Sequence, residues 1–204
     1  QSLKVLSKCP AIARSILESY PRTMPQGMAL LPLIKSVLSY QARAQEQVHS
    51  DAAGKVTIFT GVSPDVENRM AYNDLIHTQV KTMSLLAHLL RKHSMIDVQQ
   101  LDEIGRWLPN IVVRLLQDCP SSGREELFTA LRSLINFTFP YVFIPIVEEL
   151  LDGRTLVGHD LTAVQTLKPL AYSMLAELIH RVHNKLRPST IFMVVKVYTK
   201  ALQD

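Results

Sequence analysis

Apolar residues return every three or four positions along nearly the whole chain, the spacing of helices that each bury one face. The clearest stripe runs through Tyr72, Leu75, Ile76, Val80, Met83, Leu86, Ala87 and Leu90, about six helical turns. A partner stripe follows through Leu101, Ile104, Leu108, Val112, Leu115 and Leu116, with Pro109 placed to bend or split that helix near Trp107. Taken together the periodicity predicts helices over 10–20, 28–49, 70–93, 98–117, 122–136, 140–151, 167–185 and 188–202, with no strand longer than three residues. Prolines punctuate the starts: Pro10, Pro32, Pro140, Pro145, Pro169 and Pro188 all sit where a first or second turn tolerates a missing N–H. Ser122 with Glu125 has the capping-box spacing. The period lapses twice. One lapse is 51–68, with Gly54, Gly61 and Ser63-Pro64, expected to be the most mobile segment; the other is 152–166, with Gly153 and Gly158.

These elements fall into about four helix pairs joined by short turns, the size of a HEAT or armadillo unit. A helix pair cannot bury its own apolar stripe, so neighbouring pairs must stack. Pro109 early in one helix, Asp118 at its end and Arg124 entering the next fit the HEAT pattern closely; Pro145, Asp152 and Lys168 form a weaker copy. The expected fold class is all-α: an α-solenoid of HEAT-like helix pairs, with residues 1–204 forming one segment. A closed helical bundle is the rival, disfavoured by the varied loop lengths and the prolines in first helices. The start at Gln1, with no Met and no leader pattern, suggests a piece of a much larger chain. If so, the first and last pairs should expose apolar surface, because a slice lacks the polar caps of terminal repeats.

Composition narrows the class. The 204 residues are 47% hydrophobic, ample for a core and far from the composition of a disordered chain. The longest apolar run, 137–147, is interrupted by Pro140 and Pro145 and falls short of the roughly 20 residues needed to span a bilayer. Two cysteines, Cys9 and Cys119, exclude a disulfide scaffold. The net charge of +4 is too small to indicate nucleic acid by itself, and the basic excess lies toward the two ends with an acidic middle.

No catalytic constellation emerges. The glycine-bearing loops lack both phosphate-binding patterns, and Gly158-His159-Asp160 reads as turn chemistry. His180 and His183 share a helix face, yet no set of four ligands with a recognised spacing surrounds them, so no metal and no cofactor is expected. Asn136-Phe137-Thr138 matches a glycosylation acceptor but carries weight only in a secreted chain. Cys119 reads as a small buried apolar residue. Phe139, Tyr141 and Phe143 near Trp107 read as core packing.

Four ordered blocks then bear a family resemblance. They are Val66-Glu67-Asn68-Arg69 with Ala71-Tyr72-Asn73-Asp74 and Gln79-Val80-Lys81-Thr82; Leu115-Leu116-Gln117-Asp118-Cys119-Pro120-Ser121 with Arg124 and Glu126-Leu127; Phe143-Ile144-Pro145 with Leu150-Leu151-Asp152 and Leu156-Val157-Gly158; and Thr166-Leu167-Lys168-Pro169-Leu170-Ala171-Tyr172-Ser173 on to His180. In this order they resemble the TRRAP/Tra scaffold family, the pseudokinase members of the phosphatidylinositol-3-kinase-related group. The likeness covers residues 60–204 well and the first 60 more loosely. It implies a non-catalytic HEAT segment of a nuclear scaffold in histone acetyltransferase coactivator complexes such as SAGA. The implied partners are transcriptional activators, other subunits of the complex and neighbouring repeats, with no small-molecule substrate and no membrane. The second reading is a HEAT module that binds nucleic acid through basic helix ends. Acidic activation segments call for an apolar groove rimmed by cations. The final pair fits best, with Arg181, Lys185, Arg187, Lys196 and Lys200 beside Ile191, Phe192, Val195 and Tyr198.

Overall fold

Helices dominate the computed structural model, which describes residues 5, 7–41, 45–50, 56–61, 69–92, 98–137, 140–158 and 161–201. In chain order they are α1 (Cys9–Ser19), α2 (Met24–Met28), α3 (Leu31–Ser39), α4 (Arg69–Lys92), α5 (Val98–Asp118), α6 (Ser121–Phe137), α7 (Val147–Leu150), α8 (Gly153–Val157), α9 (Leu161–Val182) and α10 (Pro188–Ala201). Short 3₁₀ stretches join them at Pro21–Thr23, Pro140–Ile146 and His183–Lys185. α4, α6 and α9 stack side by side, and α1 and α3 extend that layer beyond α4. α5 and the Pro140–Ile146 stretch pack together in a second layer, and α10 packs on α7. This is the layered stacking of an α-solenoid, and the predicted stripes supply the core between the layers. Val80, Met83, Leu86, Leu108, Leu115, Leu116, Leu127, Phe128, Leu134 and Leu175 are all fully or nearly fully buried.

Several boundaries depart from the periodicity, each for a local physical reason. The helix expected over 28–49 ends at Ser39, where Tyr40 turns to an extended conformation at ψ 125°. The carbonyls that would have continued it are claimed from elsewhere. Gln79 Nε2 donates to Val37 O (2.9 Å) and Tyr40 O (2.7 Å), and Arg114 donates to Leu38 O and Tyr40 O. Beyond that stop, Gln45–Ser50 (β1) and Val56–Gly61 (β2) form an antiparallel hairpin, Gln45 opposite Gly61 and Ser50 opposite Val56. The helical tail and part of the 51–68 loop are thereby corrected, along with the expectation of no strand beyond three residues. The β-branched run Val56, Thr57, Ile58 with Thr60 favours extended backbone over a helix. The rest of 51–68 lies outside the described residues.

Pro109 does not split α5, which runs unbroken from Val98 to Asp118. The residue four positions earlier, whose carbonyl a proline ring crowds, is Gly105, and Val142 of the 3₁₀ stretch packs closely over it. Pro140 and Pro145 act more strongly. The helix expected over 140–151 is a 3₁₀ stretch followed by the single turn of α7, since both prolines remove donors from a regular ladder. The 152–166 loop is also corrected: it holds α8 and the first turn of α9, so Pro169 lies inside α9 and not in its first turn. α6 begins at Ser121, so Ser122 stands within its first turn, and Ser122 Oγ lies 3.4 Å from His77 Nε2.

Candidate functional site

The predicted surface is built by the C-terminal half of α9, the His183–Lys185 turn and α10. Arg181 belongs to a polar ladder between α6 and α9. Glu177 accepts from Arg132 and, at 2.7 Å, from Asn136 Nδ2, while Asn136 Oδ1 accepts from Arg181 Nε at 3.1 Å. The Arg132 hydrogen bond, ahead of that from Asn136, holds the Glu177 carboxyl below the usual carboxylate range. Both ends of the Asn136 amide are thus occupied within the fold.

Arg187 is likewise tied down. Its Nη2 donates to Glu148 Oε1 at 3.0 Å, and the same oxygen accepts from the buried Thr190 hydroxyl at 2.7 Å, which fastens the start of α10 to α7. Lys185 is exposed in the 3₁₀ turn. Lys196 and Lys200 are exposed on α10, four residues apart and therefore on one face. No acidic residue occurs in α10. On the same helix Phe192 is 71% exposed, with Val195 and Ile191 also open to solvent.

Tyr198, grouped with these residues by sequence, has another role. Its ring meets Tyr172 edge-on at 5.7 Å, and its hydroxyl donates to Tyr172 O at 2.8 Å. Burial, then the neighbouring Tyr172, pushes its phenol up to about 12. An open hollow of about 310 Å³ beside the pair is lined by Lys168, Pro169, Tyr172, Tyr198 and Ala201. All five predicted cations are exposed; Arg181 and Arg187 also bond within the fold, to Asn136 and Glu148.

His180 and His183 stack at 6.2 Å, with His183 Nδ1 on His180 O, and no metal-binding group of His, Cys, Asp or Glu occurs among the described residues. Phe143 is fully buried and Trp107 packs on the core, whereas Tyr141 is exposed; Phe139, His159 and Asp160 lie outside the described residues. No helix among the described residues is long and apolar enough to cross a membrane. A second apolar stripe, Ile12, Ile16 and Tyr20, lies open on α1. The spacing of four that exposes these residues together is the same one that marks the first helix in the sequence.

Arg124 is a buried polar side chain with four hydrogen bonds to carbonyls. It donates to Leu116 O, to Cys119 O at 3.1 Å, and across the layers to Leu156 O at 3.0 Å and Thr155 O at 3.4 Å. Burial lowers its pKa from the usual arginine value. The HEAT pattern marked the residue; its reach into α8 was not visible.

Comparison with known proteins gives these features a context. The family model described as "Tra1 HEAT repeat central region" matches residues 71–204. The SAGA complex/NuA4 acetyltransferase complex subunit TRA1 of Saccharomyces cerevisiae is 35% identical over the whole chain. The subunit Tra1 of the same complexes in Schizosaccharomyces pombe is 33% identical, and the human transformation/transcription domain-associated protein 30%, again over the whole chain. The chain spans only 5–6% of the length of these relatives. No solved structure matches.

Proposed function

The chain belongs to the Tra1 HEAT repeat central region family, and from that premise we propose that it works as a non-catalytic scaffold segment of a nuclear histone acetyltransferase coactivator complex. Its task is to present surface to protein partners: other subunits of the complex and acidic segments of transcriptional activators. The relatives named as SAGA and NuA4 subunits support the setting. The observation that carries the surface assignment is α10. It exposes Phe192, Val195 and Ile191 beside Lys196 and Lys200 on a helix without a carboxylate. An acidic amphipathic segment matches both parts, its apolar side chains on the stripe and its carboxylates at the rim. Lys185 extends the rim, together with the exposed Arg181 and Arg187, which also bond to Asn136 and Glu148.

The test is titration of a fluorescent acidic activation peptide into the wild-type chain, Lys196→Glu/Lys200→Glu and Phe192→Ser, at two salt concentrations. Both variants should bind about tenfold or more weakly, the charge variant chiefly through slower association. Equal affinity for all three proteins removes the surface assignment. A duplex DNA titrated in parallel separates the other class of partner. Tight binding with a steep, sequence-independent loss in salt would favour nucleic acid and overturn the protein-scaffold reading.

A further inference from the structure

α1 and α4 meet around His88. The ring is 4% exposed, and neither Nδ1 nor Nε2 has a hydrogen-bond partner on the protein. The nearest carboxylate oxygen, Glu18 Oε1 of α1, stands 3.6 Å from Nδ1, beyond hydrogen-bonding distance, and is itself held by Arg14 Nε at 2.9 Å. The charged groups that act on the ring are Glu18 and Arg14 from α1 and Arg91 and Lys92 from the last turn of α4. α2, α3, α5 and α6, which also pack on α4, bring none of comparable effect. α1 is lightly anchored: of its residues only Pro10 and Leu17 are buried, and its opposite face carries the open Ile12, Ile16 and Tyr20.

We infer that the α1–α4 contact is a proton-sensitive latch, in which the neutral His88 ring seats α1 on α4 and proton uptake releases it. A charged imidazolium in this position would be cut off from water. It would face three cations and a single carboxylate already shared with Arg14. Burial is the largest of these effects, and together they hold the ring below the ordinary histidine value of 6.5 despite Glu18. Release of α1 rehydrates the ring and restores that ordinary value. Protons therefore bind the released form better, and docking weakens as the pH falls below about 6.5, by at most about tenfold per pH unit. Well above that pH, from about 7.5 upward, the ring is essentially neutral in both forms and docking is at its strongest. Opening stays local because so little of α1 is buried, whereas α4, α6 and α9 share a continuous core.

Hydrogen exchange of the full chain at pH 7.5 and 5.5, corrected for the intrinsic pH dependence of exchange, tests this. Protection of Cys9–Ser19 should fall about five- to tenfold at the lower pH while α6 and α9 keep theirs. Glu18→Gln should enlarge the fall, since it removes the attraction that favours the charged ring. His88→Leu should abolish it. An α1 equally protected at both pH values, or acid loosening that survives in His88→Leu, overturns the latch. Should that variant fold poorly, NMR titration of the His88 ring in the wild-type chain decides: a midpoint below 6.5 supports the latch, and one at or above it sinks the proposal.

Discussion

Replacing Arg124 with methionine keeps an unbranched apolar stem and removes the guanidinium. What is lost follows from the corner between α5 and α6. Leu116 O would ordinarily receive the N–H of residue 120, but that residue is proline. Cys119 O would receive the N–H of Gly123, but that group bonds Pro120 O at 2.9 Å. Arg124 fills both vacancies and also takes the Thr155 and Leu156 carbonyls near the end of α8. The variant leaves these acceptors in a site where Arg124 itself is 5% exposed. Each buried carbonyl without a donor costs about 1–3 kcal/mol. Relief from desolvating the guanidinium, and partial relaxation of the α8 corner, offset some of that sum. A net loss of about 2–4 kcal/mol results. For a chain of this size it lowers Tm by about 4–16 °C. Helical circular dichroism at 222 nm against temperature reads it directly. Arg124→Lys should fall between, since one ammonium cannot reach both corners. A methionine variant melting within a degree or so of the wild type would show that water replaces the guanidinium and that the clasp does not hold the layers.

Other expectations follow from the same packing. Gly158 holds φ at +96°, and a Cβ there would meet the Arg124 guanidinium at 3.1 Å, so Gly158→Ala should cost about 1–3 kcal/mol. In the Arg124→Met background the cost should shrink, as a double-mutant cycle in denaturant would show. Leu175 is fully buried between α9 and its neighbours, and Leu175→Ala should cost about 2–5 kcal/mol; an unchanged urea midpoint would mean the helix is rotated from this description. Burial pushes the Cys119 thiol up to about 11, whereas Cys9 is exposed. Iodoacetamide at neutral pH should therefore modify Cys9 alone until the chain unfolds, by peptide mass mapping.

The sequence carried what repeats locally and hid what is decided from a distance. The stripe from Tyr72 to Leu90 and the stripe from Leu101 to Leu116 are local patterns, and α4 and α5 follow them to within a few residues. The stop at Ser39 is set by Gln79 and Arg114, about 40 and 75 residues downstream, which no window around α3 contains. The Pro140–Ile146 stretch has an apolar pattern that suits either helix type, and the prolines decide between them. At the surface, charge was legible but pairing was not. Arg181 and Arg187 look like Lys196 and Lys200 in the sequence, yet the fold ties the first two to Asn136 and Glu148. Nothing in the local pattern marks His88 as buried, because its burial depends on the packing of α1 against α4.

The central claim, a scaffold segment acting through the α10 surface, is met most directly by exchange into a relative. This chain aligns along its whole length with a segment of the Saccharomyces cerevisiae TRA1 subunit, so it can replace that segment in yeast, as wild type or as Phe192→Ser/Lys196→Glu/Lys200→Glu. The measurement is recovery of the purified acetyltransferase complexes together with their recruitment by an acidic activator to a promoter template. The account predicts intact, recruitable complexes for the wild-type exchange, and assembled complexes with recruitment reduced severalfold for the α10 variant. Assembly and recruitment indifferent to the α10 substitutions would contradict it.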